Sequence, residues 1–519
     1  MEKELSKKNT IILLIIILLL GVATRVYVGI KKEYFHIDEA YSYSLMNYDK
    51  IQITENDDFY GNWHTKDYYI DYLSIGEDEK WNLTPVYENQ KNDVHPPLYY
   101  LLLRIAASFT IGEFTKWTGI ILNIIISVFS SILVYLISKQ IFKNNKLALI
   151  TCLVSSLSMG ALDTTAYIRM YELANFFVLM ITYLHLKVYN KENVEIKDFI
   201  HIGIVALLGS LTHYYVIVYT VFVFIIFVIK YTRAKEYKKL IKYVGILGAA
   251  AIISLAIFPH SLTHMFGGYR GEEAKGNLLN IESIFNNLAT YIFILSKNIF
   301  GGAAIIVICG YIILYFIKRK EMVLAPNKEI NLILIPTVLY FILIAQISSY
   351  KELRYIMPII STSMICTVYM FYKLLKQFFN EKKVGVAIII VFGAITISPL
   401  FTNMQLDFTY TKMNHLADRI EEKHDIPALY IFNENNIRFL DDIYIFTKLD
   451  ESYIMKYSET TIENIQYVLK NKDTSRGLIL ITNEGVDVDK IIKKITDAYN
   501  YKTVEDMQNL NAGMVKYLK

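Results

Sequence analysis

The chain has 519 residues, of which 54% are hydrophobic and 20% charged, and its mean hydropathy is +0.33. That apolar share excludes an ordinary water-soluble enzyme and makes a lipid bilayer the expected surroundings. The net charge of +4 supplies no basic face for nucleic acid. Cys152, Cys309 and Cys366, each inside an apolar run, form neither a disulfide framework nor a metal-ligand spacing.

The first element is an apolar stretch over residues 11–30, preceded by Lys3, Lys7 and Lys8. It is long enough to cross a hydrocarbon core of about 30 Å as a helix. No small-residue cleavage site follows, so it reads as a retained first span with its N-terminus in the cytoplasm. Residues 31–94 then form a long polar segment on the outer side, carrying Asp57, Asp58, Asp71, Glu77, Asp78 and Glu79. The apolar run 98–109, interrupted by Arg104, is short for a span and better suits a helix lying at the outer surface.

Further spans are expected over 117–137, 148–166, 173–188, 199–211, 214–229, 244–258, 288–317, 330–347, 355–375 and 384–401, about eleven in all. With 98–109 kept at the surface, the basic clusters fall on the cytoplasmic side: Lys139, Lys143 and Lys146; Lys187, Lys191 and Lys197; Lys230 to Lys242; Lys318-Arg319-Lys320; Lys373 to Lys383. Counting 98–112 as a span would reverse every later helix and move those clusters outside, against the positive-inside rule.

Beyond residue 403 the composition changes. Residues 428–432, 443–446 and 477–481 read as short buried strands, and 460–469 and 488–499 as helices with Ser458 and Asp487 as caps. Strands alternating with helices predict a small α/β domain with a largely parallel sheet. The expected class is thus a polytopic α-helical membrane protein with a small C-terminal α/β extracytoplasmic domain. Residues 1–402 form the membrane domain, 31–116 its first outer loop with surface helices, and 403–519 the outer domain.

With this orientation, ionisable residues gather at the outer helix ends: Asp38-Glu39, His95, Arg169, Glu172, His213, Lys351, Glu352 and Arg354. A carboxylate in a partly dry cavity can act as general base. Guanidinium groups such as Arg169 and Arg354 hold phosphate oxygens bidentately. Each of these also has a plain reading: solvated loop acids, interfacial arginines reaching headgroups, structural histidines. The prolines after His95 stiffen the entry to a helix.

Taken in order, Asp38-Glu-Ala-Tyr41, His95-Pro-Pro-Leu-Tyr-Tyr100, Arg169-Met-Tyr-Glu-Leu173, Leu211-Thr-His-Tyr-Tyr215 and Arg354-Tyr-Ile-Met-Pro358 resemble the GT-C superfamily of membrane glycosyltransferases. The resemblance is to the family 39-type branch of protein mannosyltransferases, aminoarabinose transferases and Rgt-like enzymes, and it covers about residues 10–400. It implies a polyprenyl-phosphate sugar donor, usually inversion at the anomeric carbon, and a catalytic acid at Asp38 with Glu39 assisting or orienting. Chemistry and position add His95, Arg169, Tyr171, Glu172, His213, Arg354 and Tyr355 as substrate-binding residues.

Protein mannosyltransferases carry a large β-trefoil insertion in a later outer loop. Residues 259–287 are too few for one, which favours a glycan, glycolipid or envelope polymer as acceptor. The abundance of Ile, Lys and Asn suggests an AT-rich bacterial genome, hence undecaprenyl phosphate as lipid and the plasma membrane as location. No cofactor is required by the sequence; a divalent metal is compatible with Asp38, Glu39, His95 and Glu172. The competing readings are a transporter or flippase for a lipid-linked glycan, which favours ionisable groups near the midplane and related halves, and a non-catalytic scaffold.

Overall fold

A computed structural model describes residues 5–47, 53–56, 58–318, 327–402, 404–434, 438–510 and 513–519. Lys3, Asp57, Arg319 and Lys320 lie outside the described residues. The chain divides into two compact units: residues 1–29, 90–99 and 119–406 form the first, and 30–89, 100–118 and 407–519 the second.

The first unit is helical. Among the described residues, eight helices are long and apolar enough to cross a membrane, and a ninth span arises if a bent pair is joined. In that pair, Asn145–Ser156 and Met159–Ala166 meet at 52°. Ser158 begins the second half by accepting a hydrogen bond from the Ala161 amide at 3.3 Å, the kind of side-chain cap that satisfies a helix break in lipid. The expected spans 173–188 and 199–211 are the helices Tyr171–Tyr189 and Ile196–Ser210. The first carries too many polar residues, and the second is too short, to cross by length and composition alone.

Long apolar side chains stand exposed on these helices, Ile16 at 53% and Leu19 at 64% on the first. Such an apolar exterior is stable against lipid tails, not water. Inside, Val154, Ile360, Met364, Val368, Ile388 and Phe392 pack into one core.

The second unit contains a six-stranded mixed sheet. Its strands are β1 (Trp63–Thr65), β2 (Ala428–Phe432), β3 (Glu451–Lys456), β4 (Leu478–Asn483), β5 (Val504–Asn509) and β6 (Gly513–Leu518), in the order β1-β3-β2-β4-β6-β5. Only the β3-β2-β4 centre is parallel; β1/β3, β4/β6 and β5/β6 are antiparallel. The expected largely parallel sheet is corrected to a mixed one. Two omissions explain it. Residues 504–518 make an antiparallel pair, and β1 comes from the early polar segment, pairing Trp63 with Tyr453. Every residue of β2 and β4 is buried, as central strands covered on both faces should be.

Residues 443–446, expected as a strand, form the short helix Ile443–Phe446. A four-residue apolar run does not distinguish the two states by periodicity. The helix Ile462–Leu469 is capped by Thr461 rather than Ser458, whereas Asp487 caps Val488–Tyr499 as expected. Leu98–Ala107 is a ten-residue helix. Its Arg104 is fully buried and clamps the preceding loop through the carbonyls of Asn82, Met46 and Glu79.

Candidate functional site

In the first unit, four chain-distant breaks between helices meet. The segment before Leu98–Ala107 carries Asp93 and His95; the break between Met159–Ala166 and Tyr171–Tyr189 carries Arg169; His213 sits between Ile196–Ser210 and Tyr214–Arg233; Arg354 and Tyr355 lie in the short 3-10 turn Leu353–Tyr355. Backbone bonding joins two of these breaks: the Leu98 amide donates to the Leu211 carbonyl at 2.9 Å.

His95 Nδ1 lies 2.8 Å from Asp93 Oδ2 and 3.4 Å from Arg169 Nη2. An ionised carboxylate only accepts, so Nδ1 carries the proton toward Asp93 and Nε2 is the remaining ring nitrogen. The Asp93 carboxyl stays below the ordinary carboxylate range. Burial works to raise it, and the charge and hydrogen bond of His95, with Arg169 behind them, outweigh that.

The His213 ring is 5.9 Å from the His95 ring and 5.3 Å from Tyr171. It caps its helix, Nδ1 accepting from the Tyr215 amide at 3.0 Å. Burial, followed by the positive groups His95 and Arg169, pushes its pKa well below the usual histidine value, so it is neutral at pH 7.

Arg354 reaches the same neighbourhood. Its Nη1 lies 3.4 Å from the Tyr167 hydroxyl, its Nε is 3.0 Å from Glu352 Oε2, and its guanidinium stands 5.1 Å from the Tyr355 ring centre. Tyr167 stacks on Tyr171 at 5.7 Å, and Tyr355 lies 5.9 Å from Tyr215. The result is a phenol-walled set of two arginines and two histidines. Arg169 and Arg354 are 4% and 7% exposed, a degree of burial at which cationic hydrogen bonds strengthen. Glu172 is buried and bonded to Ser130 and Thr165, at 3.2 and 3.0 Å.

Asp38 and Glu39 belong to the second unit and begin the helix Ile37–Met46. A capping box fixes them: the Asp38 amide donates to His36 Nδ1 at 3.0 Å, and Glu39 Oε2 accepts from the His36 amide at 2.7 Å. Lys32 Nζ then bonds Glu39 Oε2 at 2.9 Å and the Phe408 carbonyl at 2.7 Å, with both charged side chains fully buried. The Asp38 side chain is 24% exposed and lies 3.8 Å from His36 Nδ1. Of the two neighbouring acids, Glu39 is sealed in an ion pair and Asp38 is partly exposed. Asp441, in the same unit, feels the Asp38 charge; burial is the main cause raising its carboxyl pKa, partly offset by Arg438.

Several members of these constellations were not picked out as site residues from the sequence: Asp93, Tyr167, Lys32 and Asp441. The Asp93–His95 spacing next to two prolines is the one local signal that could have found a member. Among the described residues, no group of three or more His, Cys, Asp or Glu is placed to hold a metal ion.

Residues 94–258 match the family model described as dolichyl-phosphate-mannose-protein mannosyltransferase. The whole chain is similar in fold to the solved structure of ArnT from Cupriavidus metallidurans bound to undecaprenyl phosphate. Identity is 9%, the TM-score is 0.52, and 99% of this chain and 98% of that one are covered. The apo form of the same ArnT gives 11% identity and a TM-score of 0.50, over 96% and 97% of the two chains. No curated protein sequence matches significantly.

Proposed function

We propose that this chain is a membrane glycosyltransferase of the GT-C superfamily, family 39 type; the match of residues 94–258 to the mannosyltransferase family model and the likeness in fold to ArnT support this reading. It moves a sugar from a polyprenyl-phosphate donor to a glycan, glycolipid or envelope polymer on the outer face of the plasma membrane. The observation that carries this reading is the meeting of His95, Arg169, His213, Arg354 and Tyr355 from four separate breaks in the helical unit. Two buried guanidinium groups among phenols suit a phosphate at the membrane boundary. The ArnT structure bound to undecaprenyl phosphate supports a lipid of that class.

In this mechanism Asp38 takes the proton of an acceptor hydroxyl, and the acceptor oxygen attacks C1 of the sugar. The bond from C1 to the phosphate oxygen breaks with its electron pair on the lipid phosphate, giving inversion. Arg169 and Arg354 stabilise that developing charge, while His95, Tyr171, His213 and Tyr355 shape the pocket around it. Glu39, paired to Lys32, orients the turn that presents Asp38. Hexosyl and pentosyl donors are both compatible with this chemistry.

The test is acceptor-dependent release of label from a series of radiolabelled polyprenyl-phosphate sugars, comparing wild type with Asp38→Asn. Release by wild type alone is expected. Equal release from both removes Asp38 from the chemistry. Transport of the lipid-linked sugar without transfer replaces the reading with a flippase.

A further inference from the structure

Arg169 sits in a four-residue irregular break, Tyr167 to Met170, between the helices Met159–Ala166 and Tyr171–Tyr189. Both flanks of that break are tied to a residue far away in the chain. Arg25, on the first helix and 4% exposed, donates from Nε to the Thr165 hydroxyl at 2.9 Å and from Nη1 to the Ser156 carbonyl at 3.0 Å. Thr165 lies in the last turn before the break. The Thr165 hydroxyl lies within hydrogen-bond distance of both Glu172 Oε2, at 3.0 Å, and the Ala161 carbonyl, at 3.1 Å. Glu172 lies in the first turn after the break.

The helix Lys116–Phe142 holds the middle. Asn123 Nδ2 donates to the Thr165 and Tyr167 carbonyls at 3.1 and 3.0 Å, and its Oδ1 accepts from Tyr99, of the helix after His95, at 3.3 Å. One turn earlier, a Cβ on Gly119 would stand 2.0 Å from Ile168 Cγ2, so only glycine lets the helix approach the break this closely. Beside Arg25 and Glu172 is a small polar cavity lined also by Ser127, Ser130, Ser131 and Asn175. The Asn175 Oδ1 is buried with no hydrogen-bond partner among the described residues.

A guanidinium and a carboxyl group bridged by a hydroxyl inside an apolar bundle are costly to assemble, and replacing such buried charged groups together by neutral ones often leaves stability unchanged or raised. Net stability is therefore a weak reason for its presence, and geometry is the stronger one. We propose that Arg25 is a positioning residue: through Thr165 and Glu172 it clasps both sides of the break and so fixes where Arg169 is presented. The role in turnover rests on the glycosyltransferase reading above; the clasp itself does not.

The test uses the full chain in nanodiscs. The Arg25→Met/Glu172→Gln double variant removes both charges together, and Thr165→Val removes only the bridging hydroxyl at constant shape. Hydrogen exchange of the amides at 167–170 is expected to rise about tenfold or more in both, with the rest of the bundle protected as in wild type. Exchange at wild-type rates in Thr165→Val overturns the clasp even if the double variant fails to fold.

In the transfer assay, Thr165→Val is expected to raise the donor KM and lower kcat together, because Arg169 acts on both the bound phosphate and the leaving group. Faster exchange with unchanged kinetics overturns the positioning role. If wild type transfers from no donor, the glycosyltransferase reading fails while the exchange result still decides the clasp. Arg25→Lys keeps the charge but not the planar fork, and is expected to remain as exchange-labile as Thr165→Val.

Discussion

Asp38 and Glu39 are held by neighbours in the chain: His36 two and three positions away, and Lys32 seven from Glu39. Arg169 instead meets His95, 74 positions away, and Arg354 meets Tyr167 across 187. In the first case a capping box splits two adjacent acids into different jobs, one sealed with Lys32 and one partly open. In the second, residues with no local relation become neighbours because each occupies a break between helices. A turn can give adjacent identical charges different surroundings, whereas bringing cationic groups together from distant parts of the chain needs the whole bundle.

The sharpest way to break this comparison is Asp38→Asn. It keeps the turn and is expected to lower acceptor-dependent release by about 10²–10⁴-fold with unaltered folding. Glu39→Gln, read in the same assay, should lose far less.

Next in size is Arg169→Ala. If it acts on the departing phosphate, kcat falls by about 10²–10³-fold, and Arg169→Lys recovers only part of it because an ammonium lacks the bidentate fork. Release assays at saturating donor measure this.

Lys32→Met tests the sealed side. It leaves the buried Glu39 without its counter-ion, which is expected to cost about 3–5 kcal/mol of stability. The Lys32→Met/Glu39→Gln pair should recover most of it in denaturant or thermal unfolding of the solubilised protein.

A smaller effect concerns pH. The folded-state pKa of His213 lies below its ordinary value of 6.5, so between the two values the unfolded chain binds the extra proton and the folded one does not. Stability therefore rises with pH across that window and is lost as pH falls below about 6.5. Protonating Nδ1 would also remove the cap on Tyr214–Arg233. His213→Asn keeps a capping oxygen without titrating, and its thermal unfolding should depend less on pH between 7 and 5.

Gly119→Ala is the mildest probe. Its methyl displaces Ile168 and with it the Arg169 break, and a several-fold rise in donor KM is expected, within the roughly 1–3 kcal/mol of a core overpacking.

Much of the helical unit was legible in the sequence, because twenty apolar residues in a row have one common solution in lipid. The five motifs were legible too, as residues at helix ends. Their meeting was not, since His95, Arg169, His213 and Arg354 are joined by tertiary packing and not by spacing. Arg25 was invisible for a different reason. It sits six residues before the end of an otherwise apolar first helix, and nothing local distinguishes it from an arginine reaching for headgroups.

The mixed sheet shows the same boundary from the other side. Ala428–Phe432 and Leu478–Asn483 announce themselves as buried runs, because a strand covered on both faces must be continuously apolar. Trp63–Thr65 announces nothing, and only its pairing with Glu451–Lys456, hundreds of residues later, makes it a strand. By itself the sequence determined a lipid-embedded bundle, an acidic turn after the first helix and a small domain of strands and helices at the C-terminal end, because burial and capping act over a few residues. The tertiary structure alone decided which acid is sealed by Lys32 and the Phe408 carbonyl, which arginines share a corner and what holds the break that carries Arg169, because those outcomes depend on contacts between parts of the chain that no local pattern connects.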